Sequence, residues 1–421
     1  MAIVLFLVSG VTPLSSQEAA GAGASSTISG TITSIEITGL KRTRPHAARY
    51  PLEKFLGREG ATLDLNEVMA AVKDTRILEP HEVELIETEE GLTLHLTVEE
   101  KWSIFPVPMV MAGSGDYSFS IFLADTNALG LMDIAAAGGT YGSSGWMGMF
   151  MYRHTPNRKG PPGWNTFFMY SRRERKDLDR DERMYRRYTA DQLRVSTGLN
   201  YPFTGFFSAY TNLSFTDISL KKTDNTFNPP GEGVRLLGFS PGLLFQHSLW
   251  DGYLLSQRNA NASYSYNLAL KGPSYHQMEL RFVYEQPMIP GFRVNLRGGA
   301  SWKSQIRTGT DPGGNPLFEE GPNKAQVDIL PRRFSALRYA GISAGLEKYI
   351  FKSRWGTLSI FGSWQCVTSY GPIAGLEFDH GPSGGIRFYL SRLALPAMGA
   401  GVAHNIISGR MQFAFSMGME F

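Results

Sequence analysis

From residue 104 to the last residue, apolar and polar side chains alternate in run after run, with Gly, Pro, Asn and Asp between the runs. Side chains alternate across a β-strand with a period of two, so each run has one apolar face and one small or polar face. The last run is the clearest. Met411, Phe413, Phe415, Met417, Met419 and Phe421 share one side, and Gln412, Ala414, Ser416, Gly418 and Glu420 the other. In the run from 292, Phe292, Val294, Leu296, Ala300 and Trp302 oppose Arg293, Asn295, Arg297, Ser301 and Lys303. No stretch of the alternating region reaches the ~20 apolar residues of a membrane-crossing helix. Arg and Lys are costly at the lipid midplane, so an arrangement with lipid outside must turn them inward.

Strands are expected near 104–112, 117–124, 131–141, 144–155, 164–173, 188–201, 205–217, 233–248, 252–269, 274–287, 292–306, 336–350, 355–369, 383–391, 397–406 and 409–421. The sixteen strands agree with the even counts of single-chain barrels, and most exceed the ~9–11 residues a tilted strand needs to cross a bilayer. Connections alternate short and long: 125–130, 202–204 and 290–291 against 174–187, 218–232, 307–335 and 370–382. Short turns on one side and long loops on the other are the asymmetry of a 16-stranded antiparallel transmembrane β-barrel, expected over 104–421. Composition suits this, with 46 Gly, 12% aromatic and 19% charged residues. The net charge of +3 is too small to argue for nucleic acid as a partner.

Residues 1–25 read as a signal peptide or disordered leader: an apolar run from Ile3 to Val8 leads to small residues and an Ala-Gly tract at 20–24, but no Lys or Arg precedes it. The single cysteine, Cys366, has no internal partner and falls on an expected lipid face. Residues 30–102 have a different texture. Thr33–Gly39 alternates, 47–56 and 65–72 have helical patterns, and 82–87 and 92–98 alternate again, the order of a small α+β module. Asp64 is expected to cap the second helix, with Glu67 completing a capping box. Leu92, Leu94, Leu96 and Val98 are expected in its core.

The module resembles a POTRA domain, and module plus barrel resemble the BamA-type outer-membrane assembly and translocation superfamily. The residues carrying the resemblance are Ile35-Glu-Ile-Thr-Gly39, Leu94–Val98 with Glu99-Glu-Lys101, Asp125-Thr-Asn-Ala-Leu-Gly130, Gly384-Gly-Ile-Arg-Phe388 and the terminal Phe421. Five strands also follow the 307–335 loop, as in that family. The resemblance implies a periplasmic POTRA domain that receives unfolded client proteins by edge pairing. It further implies a weak seam between first and last barrel strands, and possible periplasmic accessory proteins. In the candidate first strand Pro106 and Pro108 lack the N–H of a ladder, so Pro106, Pro108 and Phe421 are the expected gate residues. The alternative is that 104–112 is a proline-stiffened linker, leaving fifteen strands.

Relatives carry an Arg-Gly-Phe type motif on the long sixth loop, whose Arg pairs with lumenal acids. Here the loop has Pro331-Arg-Arg-Phe334, without glycine. The resemblance implies that Arg332 or Arg333, next to Phe334, pairs with Glu347; the alternative is a pair of loop arginines at a strand entrance. Gln365 stands where relatives have an aspartate. The charged run from Arg172 to Arg187 reads as a solvated outer loop or as a contact for lipopolysaccharide among the outer-membrane lipids.

The eight His show no metal spacing, and no nucleophile, base and acid group falls together, so neither catalysis nor cofactor nor metal is expected. The function expected is insertion or translocation of outer-membrane or exported clients. The alternatives are a passive porin-like channel and a dedicated transporter of the two-partner type.

Overall fold

A computed structural model describes residues 30–73, 75, 77–113, 116–154, 162–178, 181–221, 223–230, 232–250, 254–304, 328–330, 336, 338–353, 356–371, 375–390 and 395–417. The leader expected at 1–25 lies outside them.

The N-terminal region is a small α+β unit. It comprises β1 (Ile32–Thr38), α1 (Pro45–Arg49) continued by a 3-10 stretch (Tyr50–Phe55), α2 (Leu65–Lys73), β2 (Leu78–Thr88) and β3 (Gly91–Glu100). The sheet order is β1-β3-β2, with β1 parallel to the central β3. Leu92, Leu94, Leu96 and Val98 are buried on β3 against Leu52, Phe55, Val68 and Val72. Gly39 ends β1 at φ +90, where a Cβ would meet the Val98 carbonyl oxygen at 1.9 Å; only glycine fits such an approach. Two local expectations change. The helix expected at 47–56 tightens into 3-10 geometry after Arg49, where Pro51 enters a new first turn. Asp64 does cap α2, its Oδ1 accepting the Asn66 N–H at 2.8 Å, but Glu67 closes no capping box. Its carboxylate is drawn instead to Lys54 at 3.1 Å and Arg58 at 3.0 Å.

Sixteen antiparallel strands follow. The first eight are β4 (Ile104–Gly113), β5 (Asp116–Ala128), β6 (Asp133–Gly142), β7 (Gly145–His154), β8 (Gly163–Leu178), β9 (Met184–Pro202), β10 (Phe207–Lys221) and β11 (Val234–Trp250). The second eight are β12 (Leu255–Lys271), β13 (Tyr275–Ile289), β14 (Phe292–Lys303), β15 (Arg338–Lys352), β16 (Gly356–Gly371), β17 (Gly375–Leu390), β18 (Leu395–Asn405) and β19 (Arg410–Met417). Each pairs with its sequence neighbours, and the sheet curls until β19 meets β4. Residues 104–113 are therefore a strand and not a linker.

The faces follow the alternation. Leu213, Phe239, Leu280, Ile342, Leu346, Ile360 and Trp364 are exposed on the outside, an apolar surface that water would penalise and lipid covers. Arg293, Asn295, Ser301, Lys303, Glu347 and Gln365 are buried on the inside.

Two boundaries move. The charged run expected as a loop at 174–187 is largely a hairpin, with β8 reaching Leu178 and β9 starting at Met184. Cross-strand ion pairs hold it: Arg187 to Glu174 at 2.5 Å, Arg186 to Asp177 at 2.7 Å and Arg172 to Asp191 at 2.6 Å. β17 begins at Gly375 and not at 383, carrying Gly381 and Pro382 inside the strand opposite Gln365 and Trp364.

Candidate functional site

The geometry divides into a seam, a fixed wall from β13 to β17, and a dock for the N-terminal unit. At the seam, β4 runs alongside β5 over its whole length, from Ile104 opposite Asp125 to Gly113 opposite Asp116. On its other side, among the described residues, it meets β19 over three residue pairs: Val110 with Met417, Met111 with Ser416 and Ala112 with Phe415. Residues 418–421, which continue the chain past Met417, lie outside the described residues. Pro106 and Pro108 lie in the part of β4 beyond those pairs. Proline has no N–H to give a ladder and is tolerated at an edge, so this sequence suits a strand left partly unpaired. Phe421 lies outside the described residues, while Met411 and Phe413 of the same strand face outward.

The wall from β13 to β17 is stitched by buried charges. Arg293 on β14 lies directly across from Glu347 on β15, and its Nη2 donates to Glu347 Oε2 at 2.6 Å. Its Nη1 donates to Glu285 Oε2 on β13 at 2.8 Å. From β17, Arg387 Nη1 reaches the same Glu347 oxygen at 2.7 Å. The other oxygen, Oε1, accepts the hydroxyls of Ser359 on β16 at 2.5 Å and Tyr389 on β17 at 2.7 Å. Glu347 is 1% exposed and Arg293 likewise. Desolvated charges of this kind are tolerable only when every donor and acceptor is used. The network ties five strands together.

Arg332, Arg333 and Phe334 lie outside the described residues, and so does the pairing expected of them with Glu347. The four donors to Glu347 come from the strands. What the structure adds is an anchor for the loop they belong to. Gln365 Oε1 on β16 accepts the backbone N–H of Asp328 at 2.7 Å and of Ile329 at 3.3 Å. Its Nε2 donates to Asp328 Oδ2 at 3.2 Å and to Ser383 Oγ at 2.8 Å. Ile329, Leu330 and Ala336 are buried against Val367 and Ala403 on the inner face. An amide can both donate and accept, so the carboxylate here belongs to the loop and the amide to the wall.

The third locus was missed in the sequence except as a turn. Asn127, fully buried near the end of β5, donates from Nδ2 to Thr43 Oγ1 at 2.8 Å and to Glu100 Oε1 at 3.1 Å. Its Oδ1 accepts the Met132 N–H at 3.0 Å. Glu100 Oε2 accepts the backbone N–H groups of Lys41, Arg42 and Thr43 at 2.8, 2.9 and 3.1 Å. Burial pushes the Glu100 carboxyl up, but those N–H groups and the Thr43 hydroxyl outweigh it and hold it below the usual carboxylate range. Arg42 adds an ion pair to Asp125 at 2.9 Å. The Arg44 N–H donates to the Gly130 carbonyl at 2.8 Å. Gly130 has φ +72, and a Cβ there would come within 2.2 Å of the Arg42 carbonyl oxygen. The motif 125–130 is thus shaped to receive the N-terminal unit. Its legible signal was Asn and Gly at turn positions.

Among solved structures, BamA from Haemophilus ducreyi lacking POTRA domains 1-3 superposes with a TM-score of 0.63 at 14% identity, over 93% of this chain and 84% of that one. CdiB from Acinetobacter baumannii gives 0.65 at 12%, over 93% and 74%, and CdiB from Escherichia coli gives 0.65 at 13%, over 93% and 76%. The fold is the one BamA and CdiB share. No family model and no curated protein sequence matches the chain. At this identity the likeness is one of architecture: a 16-stranded antiparallel barrel with a small α+β region ahead of it.

Proposed function

We propose that this chain is an outer-membrane protein that inserts or translocates client polypeptides, with its N-terminal unit acting as a single POTRA-like domain in the periplasm. The observation that carries the reading is the seam: β19 meets β4 at Val110–Ala112, and β4 carries Pro106 and Pro108, which have no N–H to give a partner strand. An edge strand with unpaired N–H and C=O groups can accept another strand, and client strands are the partners that fit. The exposed apolar exterior supports membrane insertion, and the BamA and CdiB fold supports the class of activity. A role as passive pore fits less well, because Asp328–Leu330 enter the lumen and are anchored on its wall by Gln365.

The N-terminal unit is docked at the end where clients would arrive, through Asn127, Glu100 and Arg42. Clients with exposed strand edges could pair with β2, whose second side is free of a strand in the β1-β3-β2 sheet. Accessory periplasmic proteins would use the same surface. Deleting residues 30–100 is expected to leave a membrane-inserted barrel that has lost activity on clients; a barrel alone that assembles clients in liposomes as well as the intact chain overturns the role of this unit. Depletion in the native host with outer-membrane proteomics separates the possibilities. Broad loss of barrels indicates insertion, loss of one exported protein indicates dedicated secretion, and altered solute uptake alone indicates a porin.

A further inference from the structure

Among the described cations of the outer face, Arg338 is the one held between two aromatic rings. Tyr264, Met278, Trp302, Arg338, Tyr370 and Leu376 are successive cross-strand neighbours on β12 to β17, and they form an outward row near the end of the barrel away from the N-terminal unit. The Arg338 guanidinium lies over the Trp302 ring at 5.5 Å and the Tyr370 ring at 5.9 Å. No carboxylate pairs with it among the described residues. Arg235, also outward and at the same end, is by contrast neutralised by Asp217 at 2.8 Å.

The next row toward the barrel's middle holds the small residues Ala262, Ala300 and Ala340, with Leu280 between the first two. The step between the rows is an apolar groove of about 910 Å³ that extends from Ala209 on β10 to Thr368 on β16. With strands ~4.8 Å apart, six intervals make it about 29 Å wide, more than one two-chain phospholipid covers.

We infer that Arg338, held between Trp302 and Tyr370 above this groove, binds a phosphate of a multiply acylated glycolipid of the lipid A type, with its acyl chains in the groove. The aromatic rings belong to an interfacial girdle, the depth at which an arginine costs least and lipid phosphates lie. A guanidinium offers a planar fork matched to phosphate, and stacking fixes its orientation before the lipid arrives. The Arg338 guanidinium supplies charge complementarity, and the breadth of the groove selects several chains over two. This goes beyond client handling and depends only on the barrel standing in the membrane with its N-terminal unit on the inner side.

Native mass spectrometry of the purified full chain with added hexa-acylated lipid A tests it, with heat-modifiable migration as the check on folding. One lipid A is expected to remain on the wild-type chain. Arg338→Gln should weaken retention at least tenfold, Ala340→Phe should weaken it with the arginine intact by filling the groove, and Arg235→Gln should change nothing. If Arg338→Gln does not fold, Ala340→Phe against Arg235→Gln carries the test. Equal retention by all chains overturns the inference. So does equal binding of dioleoyl phosphatidylglycerol, or displacement by inorganic phosphate at millimolar level, since either would mean that a bare phosphate is what is recognised.

Discussion

The wall from β13 to β17 and the seam from β19 to β4 are built from the same element, an antiparallel pair with lipid on one side, yet they differ in what crosses them. Along the wall, β15 and β16 pair from Arg338 opposite Tyr370 to Lys352 opposite Thr357, and Glu347 draws in side chains from β14, β16 and β17. Across the seam three backbone pairs are described and no side-chain ion pair joins β19 to β4 among the described residues. On the proposed reading the wall is a frame, and the seam is where a client strand acts.

The largest expected effect breaks this comparison directly. In a Cys366→Ser background, Met111→Cys with Ser416→Cys should lock the seam and abolish client insertion into liposomes until reductant is added. The matched lock on the frame, Ala344→Cys with Trp364→Cys, uses facing residues of β15 and β16 and should leave insertion unchanged. Full activity with the seam locked removes the gate.

Next, Glu347→Ala leaves Arg387 buried without its carboxylate and Arg293 with Glu285 alone, at a cost of about 3–5 kcal/mol. Heat-modifiable migration and the urea midpoint should both fall sharply, and an unchanged midpoint would place the frame elsewhere. Gln365→Ala removes the acceptor for Asp328 and Ile329, about 1–3 kcal/mol by the usual cost of unsatisfied buried groups. Limited proteolysis within 304–337 should speed up while the barrel core stays resistant.

The smallest effect is a pH dependence at the dock. The Glu100 carboxyl is held low when docked, so its stabilisation is complete above the ordinary carboxylate value of about 4.3 and is lost as pH falls through the lower docked value. The protection factors of residues 41–43, which remove the intrinsic pH dependence of exchange, should fall in that acid range, and Glu100→Gln should remove the effect. If protection falls instead as pH increases above neutrality, the sign is wrong and the Glu100 contacts do not hold the dock.

Much of the fold was legible because the surroundings of a barrel act on residues one at a time. Arg293 and Glu347 had to face inward whatever strand lay beside them, and Phe292 and Leu346 outward. Where sequence signals failed, a local rule lost to a tertiary partner. Glu67 gave up a capping box for Lys54 and Arg58. Arg172–Arg187, polar enough to read as a solvated loop, became a hairpin because Glu174, Asp177 and Asp191 found arginines across the strands. Gly381 and Pro382, turn residues by habit, stayed in β17 because β16 continues opposite them. The candidate site was legible in part. Pro106, Pro108 and Glu347 were named from the sequence, whereas Gln365 was noted only as a departure and Asn127 only as part of a turn.

By itself the sequence determined most of the strands and the face of each side chain, since a period of two needs no knowledge of neighbours, and left their number at fifteen or sixteen. Only the tertiary structure decided which charges meet and where the N-terminal unit rests. Arg387 and Glu347 are 40 residues apart and separated by β16; they touch because the sheet curves and its register sums correctly over three strands. The dock likewise joins Thr43 to Asn127 across 84 residues. Facing is a local property of the chain, and partnership is a property of the closed-up sheet.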